Sequence, residues 1–175
     1  MEMGTRWWIP PLWLFACAII QSSLIPAVGF RLVRPDLVLD TVVIWAVTRG
    51  AREALPWGLM GGLMLDLVSG TPFGTLSLVL VIVAFLSSAG DINLFPNALW
   101  LPMVTVFVAT FVHAIILLIV LRSLGIPNDW WLDTLRTVTA PTAVVNVVTT
   151  PLVYWVVRKF TDNDRSRIQM RFGRL

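Results

Sequence analysis

Apolar residues run in six long blocks, near positions 7–30, 36–49, 57–70, 74–90, 97–122 and 135–158. Between them stand FRLVRPD, RGAREALP, SGTPFG, GDINLFP and SLGIPNDWWLD, each with the proline, glycine or charge that ends a helix. The pattern predicts six transmembrane helices. A span needs about 20 apolar residues for a hydrocarbon core of roughly 30 Å. The third block, from Trp57 to Gly70, supplies only about 21 Å of helix at ~1.5 Å per residue. It is therefore expected to lie shielded among its neighbours.

Composition agrees. Of the 175 residues, 57% are hydrophobic and only 13% charged, with a mean hydropathy of +0.82. A soluble domain would need more charge to cover its surface. The chain reads as an all-α integral membrane protein. Arg6 before an apolar core gives residues 1–30 the look of a signal peptide. Pro10, Pro11 and the lack of a small-residue cleavage site favour an uncleaved first span. The single cysteine, Cys17, excludes an intrachain disulfide and reads as a small buried hydrophobe.

The net charge of +3 matters less than its placement. Six spans put both termini on one side, with Arg6, Arg49, Arg52, Arg158, Lys159, Arg165, Arg167, Arg171 and Arg174. Arg31, Arg34, Arg122 and Arg136 fall on the other. Nine of the thirteen basic residues against four predict cytoplasmic termini. Trp7, Trp8, Trp57, Trp100 and Trp155 then sit near the inner interface, Trp130 and Trp131 near the outer. Residues 1–160 form the membrane domain and 161–175 a basic cytoplasmic tail. In that tail Ile168, Phe172 and Leu175 share a helical face among Arg165, Arg167, Arg171 and Arg174. That pattern fits an interfacial helix on anionic lipid or a solvated basic tail.

Chemistry concentrates in GGLMLDLVSGTPFG. Gly58, Gly62, Asp66, Gly70 and Gly74 recur every four residues, which gives one helix a nearly bare face with a single acid on it. Gly58 and Gly62 allow a second helix to approach backbone to backbone. Gly70 is the expected left-handed residue after the last turn and Pro72 cannot continue the helix, so the third and fourth spans form a tight hairpin. Asp36 and Asp40 share a face at the start of the second span, and counting places Asp40 at the depth of Asp66, below Arg31 and Arg34. Asp66 can cap backbone groups or pair with an arginine, or it can contact a partner helix or a ligand. Catalysis needs two facing carboxylates, which only Asp40 with Asp66 could supply, and nothing else supports it. His113 stands alone, too few ligands for a metal site, and reads as an interhelical hydrogen bonder or a proton-handling group. Asn146, Thr149 and Thr150 form a polar patch ahead of Pro151. No phosphate loop, nucleophile elbow or paired metal ligands occur, so neither enzyme activity nor a cofactor is expected.

Three stretches, RPDLVL, WGLMGGLMLDLVSGTPFGTLSLVLVIVAFL and AVVNVVTTPLVYWVVRKF, resemble the MreD family of the bacterial rod-shape system. The resemblance implies six spans arranged like the substrate-binding component of energy-coupling-factor vitamin transporters. It implies a non-enzymatic inner-membrane role in cell elongation, with an MreC-like membrane protein as direct partner. RodA, a class B penicillin-binding protein and MreB would be engaged indirectly; no nucleic acid is implied. Pro35, Asp36, Gly62, Asp66, Gly70, Gly74, Asn146 and Pro151 correspond to recurrent family positions, whereas Asp40 departs from the pattern. The alternative is a transporter subunit that binds a vitamin-like molecule, with Asp36, Asp40 and Asp66 lining the pocket and Trp130 and Trp131 in its lid.

Overall fold

The computed structural model describes residues 9–24, 35–89, 100–126 and 131–172, with side chains described in 11–23, 35–89, 100–126 and 131–159. Each of the six apolar blocks contains helix, and no described residue lies in a strand. Helix α1 (Ile9–Ile19) runs into a π-helical turn at Ile20–Leu24. It is followed by α2 (Leu37–Arg49), α3 (Ala51–Val68), α4 (Thr75–Ser87) and α5 (Trp100–Ser123). A short α6 (Trp131–Thr134) then leads through a π-helical segment at Leu135–Thr139 into α7 (Ala140–Phe172). Two stretches, Trp100–Ser123 and Trp131–Lys159, are long and apolar enough to cross a bilayer.

Helix α2 is the axis of the bundle. Every residue from Val38 to Val47 is buried, against α1, α3, α4, α5 and α7. A helix that is apolar nearly all round belongs at such a centre. At its far end Trp45 stacks on Trp57 with ring centroids 4.0 Å apart, and the Arg49 guanidinium lies 5.5 Å from the Trp45 ring. Gly50, at φ 80°, reverses the chain into α3 in a single residue.

Helix α3 differs from its sequence expectation. It begins at Ala51 rather than Trp57 and carries Pro56 inside it. Ala51, Arg52, Glu53, Ala54 and Leu55 are mostly strong helix formers, and a proline in the second turn removes only one ladder donor. The helix has 18 residues, so at ~1.5 Å per residue it extends about 27 Å and is not the short element its apolar block suggests. The turn after it is also corrected. Ser69 ends α3 in an extended conformation, and the left-handed residue is Gly74, at φ 90°, rather than Gly70.

The glycines of α3 are spent on two neighbours. A Cβ on Gly62 would overlap Ser77 Cα in α4, and one on Gly58 would stand 3.0 Å from the Leu80 carbonyl oxygen. Gly61 faces the other way, towards Val38 Cγ1 of α2 at 2.8 Å. Gly70 meets nothing within 4 Å. The α7 backbone continues as helix through Phe172 without a break at residue 160. Of the proposed membrane-surface arginines, Arg165, Arg167 and Arg171 fall where only backbone is described, and Arg174 lies outside the described residues, as do Arg31, Arg34 and Trp130.

These contacts rank the glycines. Gly62→Ala forces α3 and α4 apart and costs about 1–3 kcal/mol as overpacking, beyond the roughly 1 kcal/mol an alanine returns in helix propensity. Gly70→Ala leaves stability unchanged. Thermal unfolding of the two purified variants in detergent checks the order; equal midpoints would remove the close approach.

Candidate functional site

The start of α4 explains Asp66. The first turn of a helix has N–H groups without intrahelical acceptors, and Gly74 at the N-cap has no side chain to offer them one. Asp66, at the end of α3, supplies the acceptor instead. Its Oδ2 receives the Gly74 N–H at 3.0 Å, the Ser77 N–H at 3.1 Å and the Ser77 hydroxyl at 2.6 Å. Its Oδ1 receives the Leu76 N–H at 2.9 Å. The carboxylate is 5% exposed and sits at the positive end of the α4 dipole. The Gly62–Ser77 approach brings those donors within reach, so the bare face and the acid act together.

A second cluster fixes the start of α2. Asp36, preceded by half-buried Pro35, caps the helix itself: its Oδ1 accepts the Leu39 N–H at 3.0 Å. Gln21 Oε1, from the π-helical turn after α1, accepts the Val38 N–H at 3.2 Å. Asn146 of α7 accepts the Asp36 N–H through Oδ1 at 2.9 Å and donates through Nδ2 to Thr110 Oγ1 of α5 at 3.1 Å. One buried amide thus ties α2, α5 and α7. The Thr150 hydroxyl donates to the Asn146 carbonyl at 2.8 Å, just before Pro151 deprives the ladder of a donor, and the single Thr149 hydroxyl proton is shared between that carbonyl at 2.9 Å and Asp40.

Asp40 is placed differently. It is completely buried; Thr149 Oγ1 donates to its Oδ2 at 2.7 Å, while Oδ1 has no protein partner among the described residues. His113 Nε2 is also buried without such a partner. Asp40 and Asp66 share no hydrogen-bond partner: Asp40 is engaged from α7 and Asp66 from α4. Among the described residues no group of three His, Cys, Asp or Glu is gathered to hold a metal ion. Sequence reasoning passed over Ser77, Gln21 and Thr110. All three act across helices and leave no local mark in the sequence.

The sequence pattern of the family described as rod shape-determining protein MreD matches residues 2–163. The chain belongs to the MreD family. No individually curated protein and no solved structure matches it. MreD proteins are membrane proteins with a role in determining rod shape, and the two bilayer-length helical stretches fit that setting. In this MreD chain the Gly58–Gly62 face is filled by α4 of the same molecule, and Asp66 closes the hairpin from within.

The two buried acids should respond in opposite ways. Asp66→Asn loses the charge and turns an amide N–H₂ towards backbone donors, lowering stability by about 2–3 kcal/mol. Asp40→Asn keeps an acceptor for Thr149 and relieves a carboxylate held by one hydrogen bond, so its stability stays within about 1 kcal/mol of the parent or rises. Unfolding of both variants in mixed micelles with increasing denaturing detergent provides the comparison. Equal losses would contradict the assignment.

Proposed function

We propose that this chain is a non-enzymatic, six-span subunit of the bacterial elongation machinery, with both termini in the cytoplasm. It binds an MreC-like membrane protein and so helps to organise lateral peptidoglycan synthesis. RodA, a class B penicillin-binding protein and MreB are reached through that partner. The observation that carries this reading is the family match over residues 2–163. The geometry supports it: Asp66, Asp36 and Asn146 hold helices to one another through hydrogen bonds inside the bundle. Such groups give the membrane domain a fixed shape, which a partner can recognise.

The α3–α4 hairpin contributes indirectly. Because α4 occupies the glycine face, the partner meets the hairpin's outer side, and the hairpin must be correctly closed to present it. Gly62→Leu and Asp66→Leu are therefore expected to reduce co-purification of the MreC-like protein from membranes, whereas Gly70→Ala retains it. Wild-type recovery with both leucine variants would separate the hairpin from partner binding. A metabolite that raises the unfolding midpoint would instead favour the transporter reading, since ligand at 100 times its Kd stabilises by about 2.7 kcal/mol.

A further inference from the structure

A cleft of about 340 Å³ lies between α5 and the start of the last helical stretch, lined by Ile115, Leu118, Ile119 and Arg122 of α5, Trp131 of α6 and Leu135 of the π-helical segment. It is apart from both side-chain clusters described above. We propose that it binds one anionic phospholipid, with an acyl chain between the helices and the phosphate on Arg122.

The setting selects lipid. The cleft is bounded by the two stretches long and apolar enough to cross a bilayer, Trp100–Ser123 and Trp131–Lys159, a setting in which acyl chains are the neighbours at hand. Its apolar walls and single charged group are distributed as a phospholipid is. Arg122 stands in the last turn of α5, and Ile115 is two turns, about 10 Å, further along the helix. Arg122 already interacts within the chain, but a guanidinium has five donors and serves more than one acceptor. Exposed Arg136 adds a second positive charge on the neighbouring segment, and exposed Asp133 removes one; the three leave +1.

Size favours a small ligand over a protein helix. Small-ligand sites occupy roughly 300–1,000 Å³, and this cleft is at the lower end. A transmembrane helix with its side chains is about 10 Å across and would not enter. The π-helical segment borders the cleft directly, with Leu135 as its first residue, and such wide turns recur at functional positions.

Native mass spectrometry of the full chain in mild detergent tests the proposal, with phosphatidylglycerol, phosphatidylethanolamine and inorganic phosphate added separately. One phosphatidylglycerol per chain should be retained in preference to phosphatidylethanolamine, and inorganic phosphate should not be held. Arg122→Gln should lower phosphatidylglycerol occupancy by about fivefold, the usual worth of one arginine near an anionic lipid surface. Ile119→Trp, which fills the cleft from a 62% exposed position, should lower it at least as much. Val148→Trp, 72% exposed and outside the cleft, should leave it unchanged. Wild-type retention in the Arg122 and Ile119 variants, equal retention of both lipids, or binding of free phosphate would each overturn the proposal. So would loss of a co-purified protein from Ile119→Trp with lipid occupancy unaltered, which would assign the cleft to a protein partner.

Discussion

A helix that begins away from water needs acceptors for the N–H groups of its first turn, and at the start of α4 the turn itself provides only the Pro72 carbonyl, which takes the Thr75 N–H at 3.1 Å. Gly74 has the backbone freedom to make the turn but no side chain to cap it. Asp66 reaches across the hairpin and takes three backbone donors and one hydroxyl. It can do so only because Gly62 and Gly58 let α4 lie against the α3 backbone. Any side chain at Gly62 would push the donors away from the carboxylate, and loss of the carboxylate would leave the close approach with its N–H groups unsatisfied. The acid and the glycines are one device.

The same problem is solved again at α2, by several groups. Asp36, Gln21 and Asn146 accept N–H groups at its start, and the last two come from other helices. Helix ends are thus fixed by neighbours, so the ends also set which helices are neighbours. The central position of α2 gives this its reach, because displacement of its start would disturb α5 and α7 through Thr110 and Asn146. Asp40, by contrast, is held among the described residues by Thr149 alone. A membrane subunit whose polar groups are engaged in this way is suited to presenting a fixed surface.

Period and punctuation made much of this legible. The spacing of Gly58, Gly62 and Asp66 placed them on one helical face, and Pro72 marked the hairpin. Three things were not legible, each for a physical reason. Pro56 looked like a boundary, yet α3 starts at Ala51 and runs through it, with one ladder donor lost and the Arg52 carbonyl crowded by the ring. SGTPFG contains two glycines able to turn left-handed, and the choice of Gly74 depends on the Asp66 contacts. Counting residues gives depth in the membrane but not direction around the helix, so it put Asp40 and Asp66 level without revealing that Asp40 turns to Thr149, 109 residues away.

The central claim is that Asp66 and the start of α4 form one interaction, and a double-mutant cycle measures that directly. Asp66→Ala, Ser77→Ala and the double variant would be unfolded in detergent under identical conditions. Ser77→Ala removes the hydroxyl that Asp66 accepts at 2.6 Å and keeps the backbone N–H, so the two substitutions should couple through that hydroxyl bond by about 1–3 kcal/mol. Losses that add to within about 0.5 kcal/mol would contradict the claim.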